Sequence, residues 1–294
     1  THNYAGLSFG NIASQSNAEQ VAYPRQAALQ GLEKMRFVHG LGIPQMILPP
    51  PLRPNLHLLA QLGVSLEDTA EDSLPLIRSS WSASTMWSAN AATVSSAPDT
   101  QDGVLHLTIA NLASSLHRSQ EAAERYILFK RIFGKVAQIH EPLPACTLFT
   151  DEGAANHMRL SPSHGAAGIE IFVYGRNDSE IAPTRYPARQ TKRACEAVAR
   201  LHHLSESRTL LAQQHPDAID AGVFHNDVIA MSNEAVMIYH ELTFYDEAAT
   251  LKELHDKADF PLTLIRFSND ELPIEHAIKS YFYNSQLVSL PEGG

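Results

Sequence analysis

Cysteine is scarce in this chain: Cys146 and Cys195 are the only two among 294 residues. Two thiols so far apart make no disulfide framework and no zinc-finger spacing, the usage expected of a reduced compartment. Long apolar runs are also missing, and nothing approaches the roughly 20 residues that a bilayer-spanning helix needs. No signal peptide is legible at the N-terminus, where "THNYAG" lacks a Met and reads like the middle of a longer sequence. Positive charge is in short supply, with 22 Lys and Arg against 32 Asp and Glu, a formal net charge of -10. An acidic chain with scattered cations is a poor candidate for binding a phosphate backbone. No stretch looks like a flexible linker or a low-complexity segment, so residues 1–294 are expected to form a single domain. These absences leave a soluble, cytoplasmic protein with no nucleic-acid or membrane partner.

The chain is 44% hydrophobic, ample for a large core. Strand and helix signals alternate along it, which predicts an α/β fold. "PRQAALQGLEKMRFVHGLG" (24–42) reads as a helix with Pro24 in its first turn and Gly40 and Gly42 at its end. "QMILPP" reads as a short buried strand, and "NLHLLAQLG" as a helix closed by Gly63. "VLHLTIA" (104–110) is β-like, and "SQEAAERYILFKRIFG" (119–134) is a helix with Ser119 as N-cap and Gly134 as stop. "ACTLFTDE" and "IEIFVYG" read as strands, and 188–204 as a long helix. "TLLAQQ", the strand pair of "GVFHNDVIAMSNEAVMIYHE", the helix "DEAATLKELHDKA", then "PLTLIRF" and "SYFYNSQLVSL" complete the series. Close strand pairs followed by a helix and another strand do not fit strict strand–helix alternation. Residues 102–126 and 221–249 resemble each other faintly, which a repeated ββαβ unit would explain.

Several polar constellations interrupt this pattern. "GLSFG" (6–10) matches the nucleophile-elbow spacing, but the elbow needs a strand before it, and only five residues precede Gly6. Taken alone it reads as a decoy, although a Gly- and Ser-rich loop can still donate backbone N–H groups to a carboxylate. "FTDEGAANHMR" puts Asp151 and Glu152 at the end of an apolar stretch, where ligands of α/β folds sit. Solvated loop acids would look the same. "VFHNDV" is stronger: on a strand, His225 and Asp227 would share a face. His225 alone could be a satisfied core histidine, whereas Asp227 among apolar residues must find a partner. Such a carboxylate suits a cationic ligand, and the imidazole beside it suits proton transfer. His117, Arg118, Arg185 and Arg189 could recognise carboxylates, although surface ion pairing is the commoner fate of a single Arg. Asn90, packed among small residues, suits a polar group aimed into a pocket. Both cysteines read as small buried residues, so the residues supply an acid, a base and a cation-binding carboxylate but no attacking group.

The stretches "THNYAGLSFGN", "MWSANAATV", "DTQDGVLHLTIANL", "DEGAANH", "RYPARQT", "EAVARL" and "GVFHNDVIAMSN" resemble the N-succinylarginine dihydrolases of bacterial arginine catabolism, in order and over nearly the whole chain. The resemblance implies a pentein-type α/β propeller of ββαβ units with pseudo-fivefold symmetry, here incomplete. It implies that Asp227 grips the guanidinium, that His225 is the general acid/base and that Glu152 is its companion. Substrate would be bound by the loop Ala5, Gly6, Leu7, Ser8, Phe9, Gly10, Asn11, Ile12, Ala13 and Ser14, together with Asn90, His117, Arg118 and Arg189. No metal and no cofactor are implied, and the protein would be a cytoplasmic homodimer. The family's nucleophile is a cysteine near the C-terminus, preceded by a substrate-binding Asn, and both would fall beyond "NSQLVSLPEGG". The chain is therefore expected to lack the family's start and its C-terminal part. The implied reaction is thiolate attack on the guanidinium carbon, with His225 protonating the departing ammonia and then activating water. A second round on the ureido compound gives N2-succinylornithine, a second ammonia and carbon dioxide. Two rivals stand beside this reading. One is a metal-dependent ureohydrolase using His225, Asp227 and Asp151. The other is a catalytically incompetent fragment or paralogue that only binds succinylarginine.

Overall fold

Three times along the chain, an antiparallel strand pair is followed by a helix and a third strand that pairs parallel with the second. This computed structural model describes residues 6–84, 87–177 and 181–292. Four helices come first: α1 (Ile12–Ser16), α2 (Pro24–Gly40), α3 (Leu56–Gln61) and α4 (Ser73–Ser80). The first unit holds β1 (Ala92–Ser95), β2 (His106–Ile109), α5 (Leu116–Ser119), α6 (Ala122–Phe133) and β3 (Gln138–His140). The second holds β4 (His157–Leu160), β5 (Ile169–Tyr174), α7 (Lys192–Leu201) and β6 (Thr209–Gln213). After α8 (Pro216–Ala221), the third holds β7 (Ala230–Asn233), β8 (Val236–His240), α9 (Glu247–Lys257) and β9 (Thr263–Phe267), and α10 (Ile274–Ser280) follows. Among the described residues the protein is thus a mixed α/β structure of three small mixed sheets. The ββαβ repeat expected from the sequence is present, but the two matched stretches start at different points in their units. One begins just ahead of β2 and the other ahead of β7, so His106 and His225 are not equivalent.

Burial explains the strand pattern. All six residues of β5 are buried, as suits a central strand covered on both faces. Met158, Leu160, Ile169, Ile171 and Val173 of the second unit pack with Met237, Tyr239 and Leu254 of the third in one core. Each such buried aliphatic side chain stabilises the fold by about 1.5–3 kcal/mol. Helix boundaries follow the caps. α7 begins later than the 188–204 reading because Thr191 Oγ1 accepts from the Ala194 N–H at 3.3 Å. Ser119 is not the cap of α6: it ends the separate short helix α5, and its hydroxyl donates to the Leu116 carbonyl.

Four strand readings fail. "QMILPP" pairs with nothing among the described residues. "ACTLFTDE" forms a 3-10 turn at Thr147–Phe149. There the Leu143 and Phe149 carbonyls accept from Asn111 Nδ2, so a side chain takes the place of a neighbouring strand. His225 and Asp227 do not lie on a strand either. Asn226–Val228 make a 3-10 turn, and β7 starts only at Ala230. The "SYFYNSQLVSL" segment runs on from α10 without strand structure.

The first strand of each unit is preceded by a 3-10 turn: Ser88–Asn90, Gly153–Asn156 and Asn226–Val228. The second of these turns packs against both others. Gly153 permits one approach, since it has φ +70° and a Cβ there would stand 2.9 Å from the Ala89 carbonyl oxygen. The repeat therefore delivers Asn90, Glu152, His225 and Asp227 to one place from quasi-equivalent positions. Among the described residues no helix is long and apolar enough to cross a membrane.

Candidate active site

Glu152 sits where the second turn begins and is fully buried. Four groups hold it. Its Oε2 accepts from His225 Nε2 at 2.6 Å and pairs with Arg118 Nη1, its Oε1 accepts from Ser114 Oγ at 2.8 Å, and its backbone N–H donates to Gln190 Oε1 at 2.7 Å. Burial alone raises a carboxyl pKa. Here the Arg118 charge and the His225 contact outweigh burial and hold Glu152 well below its usual range. His225 is buried too, and burial lowers it to about 4 against the opposing pull of Glu152. The pair is thus a carboxylate bonded to a neutral imidazole, an arrangement that can receive and return a proton.

Asp227 has no such support. Burial pushes its carboxyl up to about 7, partly offset by a hydrogen bond from Asn284 and by Arg118. Its Oδ1 has no hydrogen-bond partner among the described residues, nor has Arg118 Nη2. Both residues line one pocket with Ser8, Asn11, Asn90, Arg189 and His225. The arrangement offers an unsatisfied carboxylate oxygen and an unsatisfied guanidinium nitrogen to the same cavity, which suits a ligand carrying charge of both signs. Arg189 donates from Nη2 to the Phe9 carbonyl at 2.9 Å and stacks over the Phe224 ring, 5.0 Å from its centroid. Burial lowers Arg189 to about 10, with the neighbouring Arg118 charge adding to the shift. Arg118, on the short helix α5, and Arg189 both lie between the second strand of their unit and the longer helix, α6 or α7, that leads to the third strand.

Other candidates lie elsewhere. In the loop ahead of α1, Ser8 and Asn11 reach the pocket. Leu7 and Phe9 line a separate cavity, and Ile12 packs into an apolar cluster around Val223 and Ile229. Asn11 Oδ1 caps α1 by accepting from the Ser14 N–H, and Gly6, Gly10 and Ala13 shape the loop without lining the pocket. Ala5 falls outside the described residues. The "GLSFG" loop leads into the short helix α1, and Ser8 Oγ bonds His117 Nε2 at 2.9 Å. His117 is buried behind that serine. Asp151 faces Gln190 and Gly153, not the pocket, and burial raises it to about 6. Arg185 lies over the Tyr186 ring, away from the pocket. Cys195 is buried with its thiol pushed far up by desolvation, and Cys146 is exposed on the second cavity, so neither lines the pocket. Among the described residues no three His, Cys, Asp or Glu side chains converge as a metal-binding set.

Sequence reading missed Ser114, Gln190, Trp87, Phe224 and Asn284. Ser114 and Gln190 hold Glu152, and the other three line the pocket. Ser114 stands three residues before His117, and Gln190 directly follows Arg189, so proximity to named candidates was a usable signal. Asn284 lies in a segment with no periodicity and gave none.

The family model described as succinylarginine dihydrolase matches residues 1–294. The chain is 48% identical over 305 residues to an N-succinylarginine dihydrolase of Legionella pneumophila (strain Corby), covering 99% of this chain and 68% of that protein. It is 47% identical to the enzyme of that name from Shewanella amazonensis, over 100% of this chain and 68% of the relative. It is also 47% identical to that of Myxococcus xanthus, over 100% and 69%. A buried Glu–His pair beside an unsupported carboxylate, and a match running through every unit of the fold, lead to one conclusion: this chain belongs to the succinylarginine dihydrolase family.

Proposed function

We propose that this pocket binds N2-succinyl-L-arginine and that the protein hydrolyses it to N2-succinylornithine, two ammonia and carbon dioxide in arginine catabolism. The observation that carries the reading is the Asp227 carboxylate, whose buried Oδ1 has no hydrogen-bond partner among the described residues, beside a pre-formed Glu152–His225 pair. In this reading Asp227 accepts N–H bonds from the guanidinium, a charge-assisted contact strengthened by the low local dielectric. Arg118 and Arg189, with Ser8 and Asn11, meet the two carboxylates of the substrate. His225, neutral at physiological pH, takes the proton of the attacking thiol and passes it to the departing nitrogen, with Glu152 balancing the transient imidazolium. The same imidazole then deprotonates water. In this reading the attacking thiolate is the family's nucleophilic cysteine, a role that neither Cys146 nor Cys195 can fill from outside the pocket.

The finer architecture belongs to the same proposal. Three ββαβ units with converging turns support a pentein-type propeller formed as one domain. A cytoplasmic homodimer fits the family resemblance, and sedimentation would test the assembly. The deciding experiment is ammonia release from N2-succinyl-L-arginine, without added metal and again with a chelator. It is run on these 294 residues and on the chain extended through its natural reading frame. Turnover by the extended chain alone, insensitive to chelation, is the expected result. Activity of the short chain would return Cys146, Cys195 and metal-bound water as nucleophiles. Loss of activity on chelation would favour a metal-dependent ureohydrolase.

A further inference from the structure

Two buried acceptors stand side by side on the pocket wall. Asp227 Oδ1 and Asn284 Oδ1 both lack a hydrogen-bond partner among the described residues, and both residues line the pocket. Asn284 also acts on the Asp227 carboxylate as a donor does, working against the burial that raises its pKa. An amide carries donors on nitrogen and an acceptor on oxygen, while a carboxylate only accepts. With its nitrogen turned to Asp227, Asn284 presents its oxygen to the ligand. Paired acceptors fit a planar cation rich in N–H donors.

They do not fit what the first hydrolysis leaves behind. Resting on the dihydrolase reading above, the pocket must take two different ligands in turn. The first is a guanidinium cation. The second is its neutral ureido counterpart, in which a carbonyl oxygen stands where an amino group was. An oxygen set against two acceptors finds no donor. We propose that Asn284 is the specificity-determining residue that lets one pocket serve both rounds. Its Oδ1 accepts from the guanidinium, and after a half-turn of the amide its Nδ2 donates to the ureido oxygen. The final torsion of Asn is broad and close to two-fold, and its oxygen and nitrogen are nearly the same size, so the turn needs no repacking.

The half-turn places Asn284 Oδ1 against Asp227, which calls for a proton on that carboxylate. The reaction supplies it. Guanidinium cation, Asp227 carboxylate and water become ureido compound, ammonia and protonated Asp227, with no net charge on either side. The charged groups that act on Asp227 are Arg118 and Glu152, which pair with each other and so oppose neither protonation state strongly. A second carboxylate in place of Asn284 would serve the cation alone.

The test is calorimetric binding of N2-succinyl-L-arginine and of its ureido counterpart to the parent, Asn284→Asp and Asn284→Ala chains, each first shown to melt cooperatively. N284D is expected to bind the arginine compound within about threefold of the parent and the ureido compound roughly tenfold or more weaker, the scale of one lost hydrogen bond. N284A should weaken both by similar factors. If N284D does not melt cooperatively, Asn284→Ser replaces it. Its hydroxyl can donate or accept, so it should keep the parent's ratio of the two affinities, and a ratio shifted against the ureido compound overturns the proposal. Equal factors for both ligands in N284D also overturn it. If the parent in its extended form binds neither ligand, the substrate reading itself has failed. In the extended chain, N284D should release close to one ammonia per substrate, and two would again count against the proposal.

Discussion

Two groups of buried histidines in this protein behave in opposite ways. At the pocket, His225 is tied to Glu152 and Arg118 beside Asp227, whose Oδ1 has no partner among the described residues. Where the end of α7 in the second unit meets β1 and β2 of the first, His106 and His202 have every ring nitrogen engaged. His106 bonds His140 Nε2 at 2.8 Å and the Asp102 carboxylate at 3.1 Å. His202 bonds the Ser95 hydroxyl at 2.8 Å and that of Thr108 at 2.7 Å. Its ring also stacks near His140, with centroids 5.5 Å apart. A saturated cluster stabilises a joint between strands and the end of α7. A cluster with spare valence is costly to the fold and has a ligand to wait for.

The largest effect should come from removing the anchor of the pocket group. Glu152→Ala leaves Arg118 buried without its counter-charge and His225 without its hydrogen-bond partner, and should cost about 3–5 kcal/mol in denaturant unfolding. A loss below about 1 kcal/mol would mean that the ion pair is solvated in solution, and the contrast with the saturated cluster would collapse.

Asp227 should respond in the opposite sense. Its folded pKa, about 7, lies above the ordinary 3.8, so the native state holds the proton more tightly and stability falls as pH rises between those values. Asp227→Asn should therefore leave the melting temperature at pH 8 unchanged or higher. It should also weaken succinylarginine binding about 10–100-fold through loss of a charged hydrogen bond. A variant both unstable and fully competent to bind would show that Asp227 is structural. In the parent, cation binding must displace the Asp227 proton, so affinity should fall up to about tenfold per unit as pH drops below 7. A flat profile from pH 8 to 5.5 would show that Asp227 is already ionised in the free pocket.

The same contrast explains what could be read from the sequence. His225, Asp227 and Glu152 stood out because charge in an apolar run needs an explanation. The reason first attached to His225 and Asp227, strand alternation, was wrong, because the backbone there turns in a 3-10 helix before β7 begins. The supports of Glu152 were illegible for another reason. Ser114 and Gln190 reach it across 38 positions from polar loops where nothing marks one serine or glutamine above another. The ββαβ repeat was visible only as a faint likeness, since the units share patterning and not residues. The His106–His140–His202 group was not anticipated at all: each histidine is unremarkable in its own segment, and only the pairing of β2 with β3 and the packing of α7 bring them together.

The smallest expected effect tests the saturated cluster. Burial, with His140 and His106 close by, keeps the His202 imidazole far below its ordinary 6.5, so it stays neutral in the fold. Its folded pKa is depressed, so its contribution is complete above pH 6.5 and is lost as the pH falls below that value. Asp102 and His203 border the same group, and His140 is lowered too, by burial first and then by His106. His202→Gln keeps one donor and one acceptor for Ser95 and Thr108 but cannot take up a proton. Its cost at pH 8 should stay near 1 kcal/mol, the scale of a hydrogen bond made with poorer geometry. Between pH 6.5 and 4.5 its melting temperature should fall less steeply than the parent's, while affinity for succinylarginine should not change. If the variant instead lost affinity, the two histidine groups would be coupled through α7, and the saturated cluster would have to be counted as part of the pocket.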